Sequence, residues 1–179
     1  TINQTDQVIE AVEWGKTNNC PILFLGAGAN VLFTKDFNGL IAKIEIMGIK
    51  KINETASDVI LEVGAGENWH HFVSYCVQKG WGGIENLSLI PGTVGASPIQ
   101  NIGAYGTEVK ECIEHVKAFD RKNEKWVCLS KEECKFGYRN SVFKESPNRY
   151  IITEVVFKMQ KQPKLKTEYG VIREILHDK

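Results

Sequence analysis

The sequence has no surplus of charge of either sign: 22 lysines and arginines balance 22 aspartates and glutamates over 179 residues. That balance excludes an electrostatic grip on nucleic acid, which needs extra positive charge to displace counterions. It also excludes a polybasic membrane-facing surface. Long hydrophobic runs are missing too, and the longest, such as Pro21–Leu25 and Val155–Phe157, fall far short of a bilayer span. No secretion signal opens the chain, because Thr1–Glu10 is polar and has no basic stretch. The five cysteines, at 20, 76, 112, 128 and 134, form no Cys-x-x-Cys pair. Their scatter argues against a disulfide framework or a zinc site and for reduced thiols in a cytoplasm. No metal is expected at the histidines either. His70 and His71 are adjacent on a predicted helix and so point about 100° apart, while His115 and His177 are isolated. Ser88 lacks the Gly-x-Ser-x-Gly elbow, which leaves a hydrolase without a motif.

What is present is a globular composition, 42% hydrophobic and 25% charged, enough for one domain or two small joined ones. Thr5 is expected to cap a helix running to about Asn18, with Val8, Ile9 and Val12 on one face. Pro21–Leu25 reads as a buried strand, Gly26–Asn30 as a glycine turn, and Val31–Phe33 as a return to strand. Further strands are expected at Leu40–Ile46, Val59–Val63 and Tyr150–Met159. Ile113–Asp120 and Lys125–Leu129 form a predicted hairpin across Arg121–Glu124. Trp69, Phe72, Val73, Cys76 and Val77 recur at helical spacing, and Lys79-Gly80 ends that helix. Ser130–Glu133 carries the reciprocal pattern that opens a short helix. The class is α+β with short strands dominating.

Between Gly82 and Gly106 the character changes. These 25 residues hold six of the sixteen glycines and two of the five prolines, and Glu85 is their only charged residue. A solvated loop would carry more charge, and a helix or strand would tolerate fewer glycines. Such a segment suits backbone that approaches a ligand closely and stays dry. Two strand-then-glycine clusters precede it, Gly26-Ala-Gly-Ala-Asn30 and Gly64-Ala-Gly-Glu-Asn68. Glycines let backbone N–H groups converge on an anion. Neither cluster completes Gly-x-Gly-x-x-Gly, since Val31 and Trp69 stand at the third position, so a tight turn and a phosphate cradle both stay open. Arg139, anchored between Phe136 and Phe143, can hold a carboxylate bidentately or lie solvated on the surface.

The run Gly83–Gly106, and most specifically its stretch from Ile90-Pro-Gly92 to Gly103-Ala-Tyr-Gly106, closely resembles the UDP-N-acetylenolpyruvoylglucosamine reductase family. Leu25–Phe33 upstream and Gly137–Lys144 downstream extend the resemblance over nearly the whole chain, in the family's order. Tyr169-Gly170 resembles the mobile tyrosine loop of one branch. The resemblance implies an FAD-binding fold of the vanillyl-alcohol-oxidase type, with two α+β subdomains gripping FAD. Gly26, Ala27, Gly28, Ala29, Asn30 and Val31 would wrap the pyrophosphate. Ile90, Pro91, Gly92, Gly95, Ala96, Ser97 and Ile99 would line the flavin together with Gly103, Tyr105 and Gly106, and Ile151 and Ile152 would meet the adenine end.

In that family NADPH reduces FAD, and hydride then passes to the enolpyruvyl group of UDP-N-acetylglucosamine enolpyruvate, giving UDP-N-acetylmuramate for peptidoglycan. A cation beside the substrate carboxylate would stabilise the developing enolate. Arg139 matches the family's catalytic arginine, with Tyr138 and Gln100 close by and Tyr169 closing on the UDP-sugar diphosphate. The family's serine acid and late glutamate have no counterpart before Lys179, and its N-terminal Asn-Thr-Phe stretch is also missing. The expected organisation is therefore residues 1–55 and 56–162 as two FAD-binding subdomains, with 163–179 opening a truncated substrate domain after Pro163. The fragment is expected to be monomeric, cytoplasmic and inactive alone. A flavin oxidase of small alcohols or sugars and a non-catalytic nucleotide-binding module are the alternatives. The oxidases often carry a flavin-linking His or Cys, and none sits in Gly82–Gly106.

Overall fold

The computed structural model describes residues 1–177. It opens with α1 (Asp6–Thr17), which buries Val8 and Val12. Thr5 precedes it in helical conformation and makes no side-chain cap. Gln7 instead ties down the chain before the helix, its Oε1 accepting from the backbone N–H of Asn3 at 2.7 Å and Gln4 at 3.2 Å, while Asp6 Oδ1 accepts from Gln7 N at 2.9 Å. β1 (Ile22–Leu25) and β2 (Leu40–Lys43) then pair in parallel. Parallel strands require a crossover, and here the loop between them, residues 26–39, supplies it.

After β2 come β3 (Ile49–Glu54), β4 (Asp58–Gly64) and α2 (Trp69–Gln78). A short ribbon of β5 (Gly103–Ala104) and β6 (Thr107–Glu108) follows the glycine-rich segment. The expected hairpin is present as β7 (Ile113–Asp120) and β8 (Lys125–Ser130). α3 (Val142–Glu145), β9 (Tyr150–Gln160) and α4 (Gly170–His177) complete the order. The main sheet runs β3-β4-β9-β7-β8, antiparallel throughout. Its centre is β9, where Ile151, Val155, Phe157 and Met159 are buried. α2 lays Trp69 and Phe72 against Phe157, with ring centroids 6.2 and 4.9 Å away. The one polar atom on that indole is satisfied, since Trp69 Nε1 donates to the Leu87 carbonyl at 2.7 Å.

Several expectations change. Val31–Phe33 forms no strand; all three side chains are exposed in the crossover loop, where no strand partner receives them. Ser130 and Glu133 do bond reciprocally, at 2.8 and 3.3 Å, but they close a turn instead of opening a helix. The chain reverses at Lys135, whose φ is 49°, before a helix can propagate. β3 escapes the sequence reading because it is a charged edge strand with only Ile49 half-buried and a register shift between Lys51 and Asn53. All five cysteines are free, with Cys76, Cys112 and Cys134 buried, Cys20 half-buried and Cys128 exposed. The sheet runs across position 55, because β3 and β4 lie on either side of it and pair. Of the expected unit 163–179, positions 178 and 179 lie outside the described residues.

Candidate functional site

The end of β1 delivers the first glycine cluster to a cleft of about 350 Å³. Gly26, Ala27, Gly28, Ala29, Asn30 and Val31 all line it. The glycine-rich segment contributes Pro91, Gly92, Ala96, Ser97, Ile99 and Gln100. A smaller hollow of about 80 Å³ shares Gly26, Ala96 and Ile99 with the cleft and adds Gly95, Ile151 and Ile152. Residues far apart in sequence thus converge on one connected surface. The remaining expected residues stand outside both hollows: Ile90, Gly103, Tyr105, Gly106, Tyr138, Arg139 and Tyr169. Gly103 and Arg139 are joined, the guanidinium Nη2 donating to the Gly103 carbonyl. Tyr105 and Tyr169 meet edge to face at 5.7 Å. Tyr138 is 86% exposed, with the Arg139 guanidinium 6.0 Å from its ring centre. A larger hollow of about 560 Å³, bordered by Lys16, Arg121 and Arg149, includes none of the expected residues.

The chemistry of the cleft follows from its backbone. Among the described residues, none of the N–H groups from Gly26 to Asn30 donates to a protein acceptor. Five consecutive unspent donors in an uncharged loop are suited to anionic oxygens. Gly28 has φ 69° and Gly92 has φ 131°, and in both no protein atom lies within 4 Å of where a Cβ would stand. These two glycines leave room at the cleft surface. Gly26 and Gly95 serve packing instead: a Cβ would stand 2.5 Å from Thr93 Oγ1 in one and 2.5 Å from Ala65 Cβ in the other. Ser97 is buried and spends its hydroxyl on the Val94 carbonyl at 2.7 Å. The donor array, the open glycines and the apolar lining fit a long cofactor that has a diphosphate between two flat rings.

Sequence reasoning missed Phe24, Trp69, Thr93 and Lys144, which also line the cleft. Lys144 is the sole charged residue in that lining, and its Nζ donates to the Arg139 carbonyl at 2.9 Å. It closes the Gly137–Lys144 motif, so its position in sequence was visible while its role was not. Trp69 directly follows the second glycine cluster and Thr93 follows Gly92, but only the fold turns them toward the cleft.

Comparisons with known proteins agree with this arrangement. The chain is 51% identical over 158 residues to a UDP-N-acetylenolpyruvoylglucosamine reductase of Chromobacterium violaceum, covering 87% of this chain and 46% of that protein. It is 43% identical over 171 residues to the Pseudomonas syringae pv. tomato reductase of the same name, covering 96% and 50%. The chain thus spans about half the length of the curated relatives it matches. Its fold is similar to that of the Thermus caldophilus UDP-N-acetylenolpyruvylglucosamine reductase, with TM-score 0.71 at 24% identity over 98% of this chain and 57% of that one. Cholesterol oxidase from B. sterolicum shares the fold more distantly, with TM-score 0.59 at 13% identity over 88% and 33%. These neighbours bear out the expected α+β fold class. A family profile described as an FAD binding domain matches residues 1–129, well over half the sequence, and the chain belongs to that family.

Proposed function

We propose that this chain is the flavin-binding part of an NADPH-dependent UDP-N-acetylenolpyruvoylglucosamine reductase serving peptidoglycan precursor synthesis. The observation that carries the reading is the run of free N–H groups at Gly26–Asn30 opening on a cleft with Pro91–Gln100, in a chain 51% identical over 158 residues to a reductase of that name. FAD, when bound, supplies the two-electron chemistry that links NADPH to the enolpyruvyl group. The protein's own share is binding and charge placement. The 26–30 backbone holds the diphosphate, Ile90, Ile99, Ile151 and Ile152 supply apolar contact, and Gly103, Tyr105 and Gly106 border the flavin. Arg139 holds the substrate carboxylate and stabilises the negative charge that develops during reduction. Tyr138 and Gln100 help seat the sugar, and Tyr169 covers the diphosphate of the UDP group.

The same reading treats residues 1–55 and 56–162 as two subdomains, with β3 from the first completing the sheet of the second. It makes 163–179 the entry to a substrate domain and the protein a cytoplasmic monomer. No described helix is long and apolar enough to cross a membrane. An absorption spectrum of the purified chain and a titration with FAD test the cofactor. Fusion to the second half carried by the relatives tests the reaction, through NADPH oxidation that depends on the UDP-sugar. Micromolar or tighter FAD binding is expected, and absence of binding would overturn the reading. UDP-sugar-independent turnover on small alcohols would favour the oxidase instead.

A further inference from the structure

Arg139 is held in an unusual way. Its φ is 50°, a left-handed backbone that costs a non-glycine residue energy, and neighbouring groups must hold it there. The turn itself is narrow: Gly137 N donates to Asn140 O at 3.0 Å, and Asn140 N returns to Gly137 O at 3.2 Å. Two fully buried polar side chains tie that turn to the glycine-rich segment from opposite directions. Asn101 reaches out from the segment, its Nδ2 donating to the Gly137 carbonyl at 2.9 Å and to Glu108 Oε1 at 3.0 Å. Its Oδ1 accepts from Lys110 N at 3.1 Å, so the amide is satisfied on both ends. Ser141 reaches back from the turn, its Oγ donating to the Ile99 carbonyl at 2.6 Å. The same oxygen accepts from Phe143 N and Lys144 N and so caps α3. The two staples bracket Arg139 in sequence at Gly137 and Ser141, and on the segment they attach at Ile99 and Asn101, just before Gly103. Between them the Arg139 guanidinium donates to the Gly103 carbonyl.

We propose that Asn101 and Ser141 are positioning residues that fix the Arg139 guanidinium against the edge of the cofactor cleft. Neither side chain has an accessible surface with which to touch a ligand, since both are 0% exposed. Their effect must pass through the turn. Only the kinetic part of the test rests on the reading of Arg139 as the cation beside the substrate carboxylate.

The direct test is the rotation rate of the Arg139 guanidinium about its Nε–Cζ bond, measured by exchange NMR on the 179-residue chain with and without FAD. Asn101→Ala and Ser141→Ala should each speed that rotation about tenfold or more, the scale of one lost hydrogen bond. Ser141→Thr, which keeps the hydroxyl, should leave it slow. Amide signals of β7 and β9 report whether the sheet stays native, and Ser141→Ala carries the test if Asn101→Ala fails to fold. Unchanged rotation in a natively folded alanine variant would overturn the proposal.

The kinetic arm uses the fusion to the relatives' second half and follows enolpyruvyl-dependent turnover. Asn101→Ala should slow it at least about tenfold, as a small displacement of a charged group can. Asn101→Ala with Arg139→Ala should be no slower than Arg139→Ala alone, because both changes remove one device. Additive losses would overturn the proposal. Full-speed turnover in Arg139→Ala would instead sink the catalytic reading, while the rotation rates would still judge the positioning role.

Discussion

In the central strands of the main sheet, side-chain burial decides what each residue is. β4 alternates half-buried and buried residues, and β9 carries Ile151, Val155, Phe157 and Met159 into the core. The glycine-rich segment buries Ile84, Leu87, Val94 and Ile102 in the same core but adds a second means of order. Its regular structure amounts to two three-residue 3-10 turns and one strand of the β5–β6 ribbon, and it is held by Trp69 Nε1 on Leu87 O, Ser97 on Val94 O and Asn101 on Gly137 O. The sheet gains stability from apolar area along regular strands, whereas the segment joins four buried apolar side chains to buried hydrogen bonds and leaves its backbone near the cleft surface. The difference teaches that most of the core and the donor array of the cleft can be damaged separately, with Trp69, Ile151 and Ile152 belonging to both.

The largest effect is expected in the sheet. Phe157 is fully buried between Trp69 and Phe72, so Phe157→Ala opens a cavity that neighbours fill only in part. A loss of about 3–5 kcal/mol is expected in urea unfolding. Whatever fraction stays folded should still bind FAD with near wild-type affinity. A large loss of affinity in the folded fraction would break the separation between the two regions.

The converse change comes next. Gly28→Val puts a β-branched side chain at φ 69° in a place where no protein atom lies within 4 Å of the new Cβ. Backbone strain of about 1–2 kcal/mol follows. The larger consequence is steric, because the side chain occupies space at the donor array. FAD affinity should fall at least about tenfold in a protein that still folds, as measured by fluorescence titration beside a urea melt. Unchanged affinity would remove the 26–30 loop from the site.

Charge at the sheet's end gives a smaller, pH-gated effect. The Asp120 carboxylate is buried and receives Arg149 Nε at 3.1 Å and Nη2 at 2.7 Å, with backbone N–H groups of Lys122 and Asn123 adding to them. The Arg149 guanidinium first, and those amides second, hold its carboxyl well below the ordinary carboxylate range. A folded-state value depressed below the unfolded one stabilises the protein above about pH 4 and loses that contribution as the pH falls further. Asp120→Asn should therefore be less stable than wild type at pH 7, with the two converging as acid is added. Equal stability at pH 7 would show that the pair contributes nothing net.

The same contrast explains what could be read before the structure. Helix α2 follows from periodicity because it buries one face, while the β7–β8 hairpin and β9 follow from their strand-forming residues and turn, β9 being buried on both faces. β3 does not, because an edge strand reading Ile-Lys-Lys-Ile-Asn-Glu has almost no face to bury. The cleft was legible as composition, in glycines and absent charge, and the resemblance added which residues to expect there. Periodicity could not reveal that Gly26 and Gly95 are small for packing while Gly28 and Gly92 leave open space. Nor could it join Asn101 to Gly137, since that contact spans 36 positions and depends on two turns with left-handed residues.

The smallest expected effect tests the crossover loop, where sequence and structure part most plainly. Val-Leu-Phe at 31–33 has the residue types of a strand, and a strand there would make its central leucine matter. In the structure Leu32 is 86% exposed and joins none of the three sheets. The loop's one internal backbone bond near it is Val31 N to Gly28 O at 3.3 Å, which a side-chain change leaves intact. Leu32→Ser should accordingly change unfolding stability by no more than about 0.5 kcal/mol, the usual scale for an exposed position. FAD affinity should also hold, because Leu32, unlike Val31, does not line the cleft. A destabilisation of about 2 kcal/mol or more would mean that the loop packs as a strand after all, and that stability extends into the ligand-facing region. Lost FAD affinity with unchanged stability would instead extend the site one residue beyond Val31.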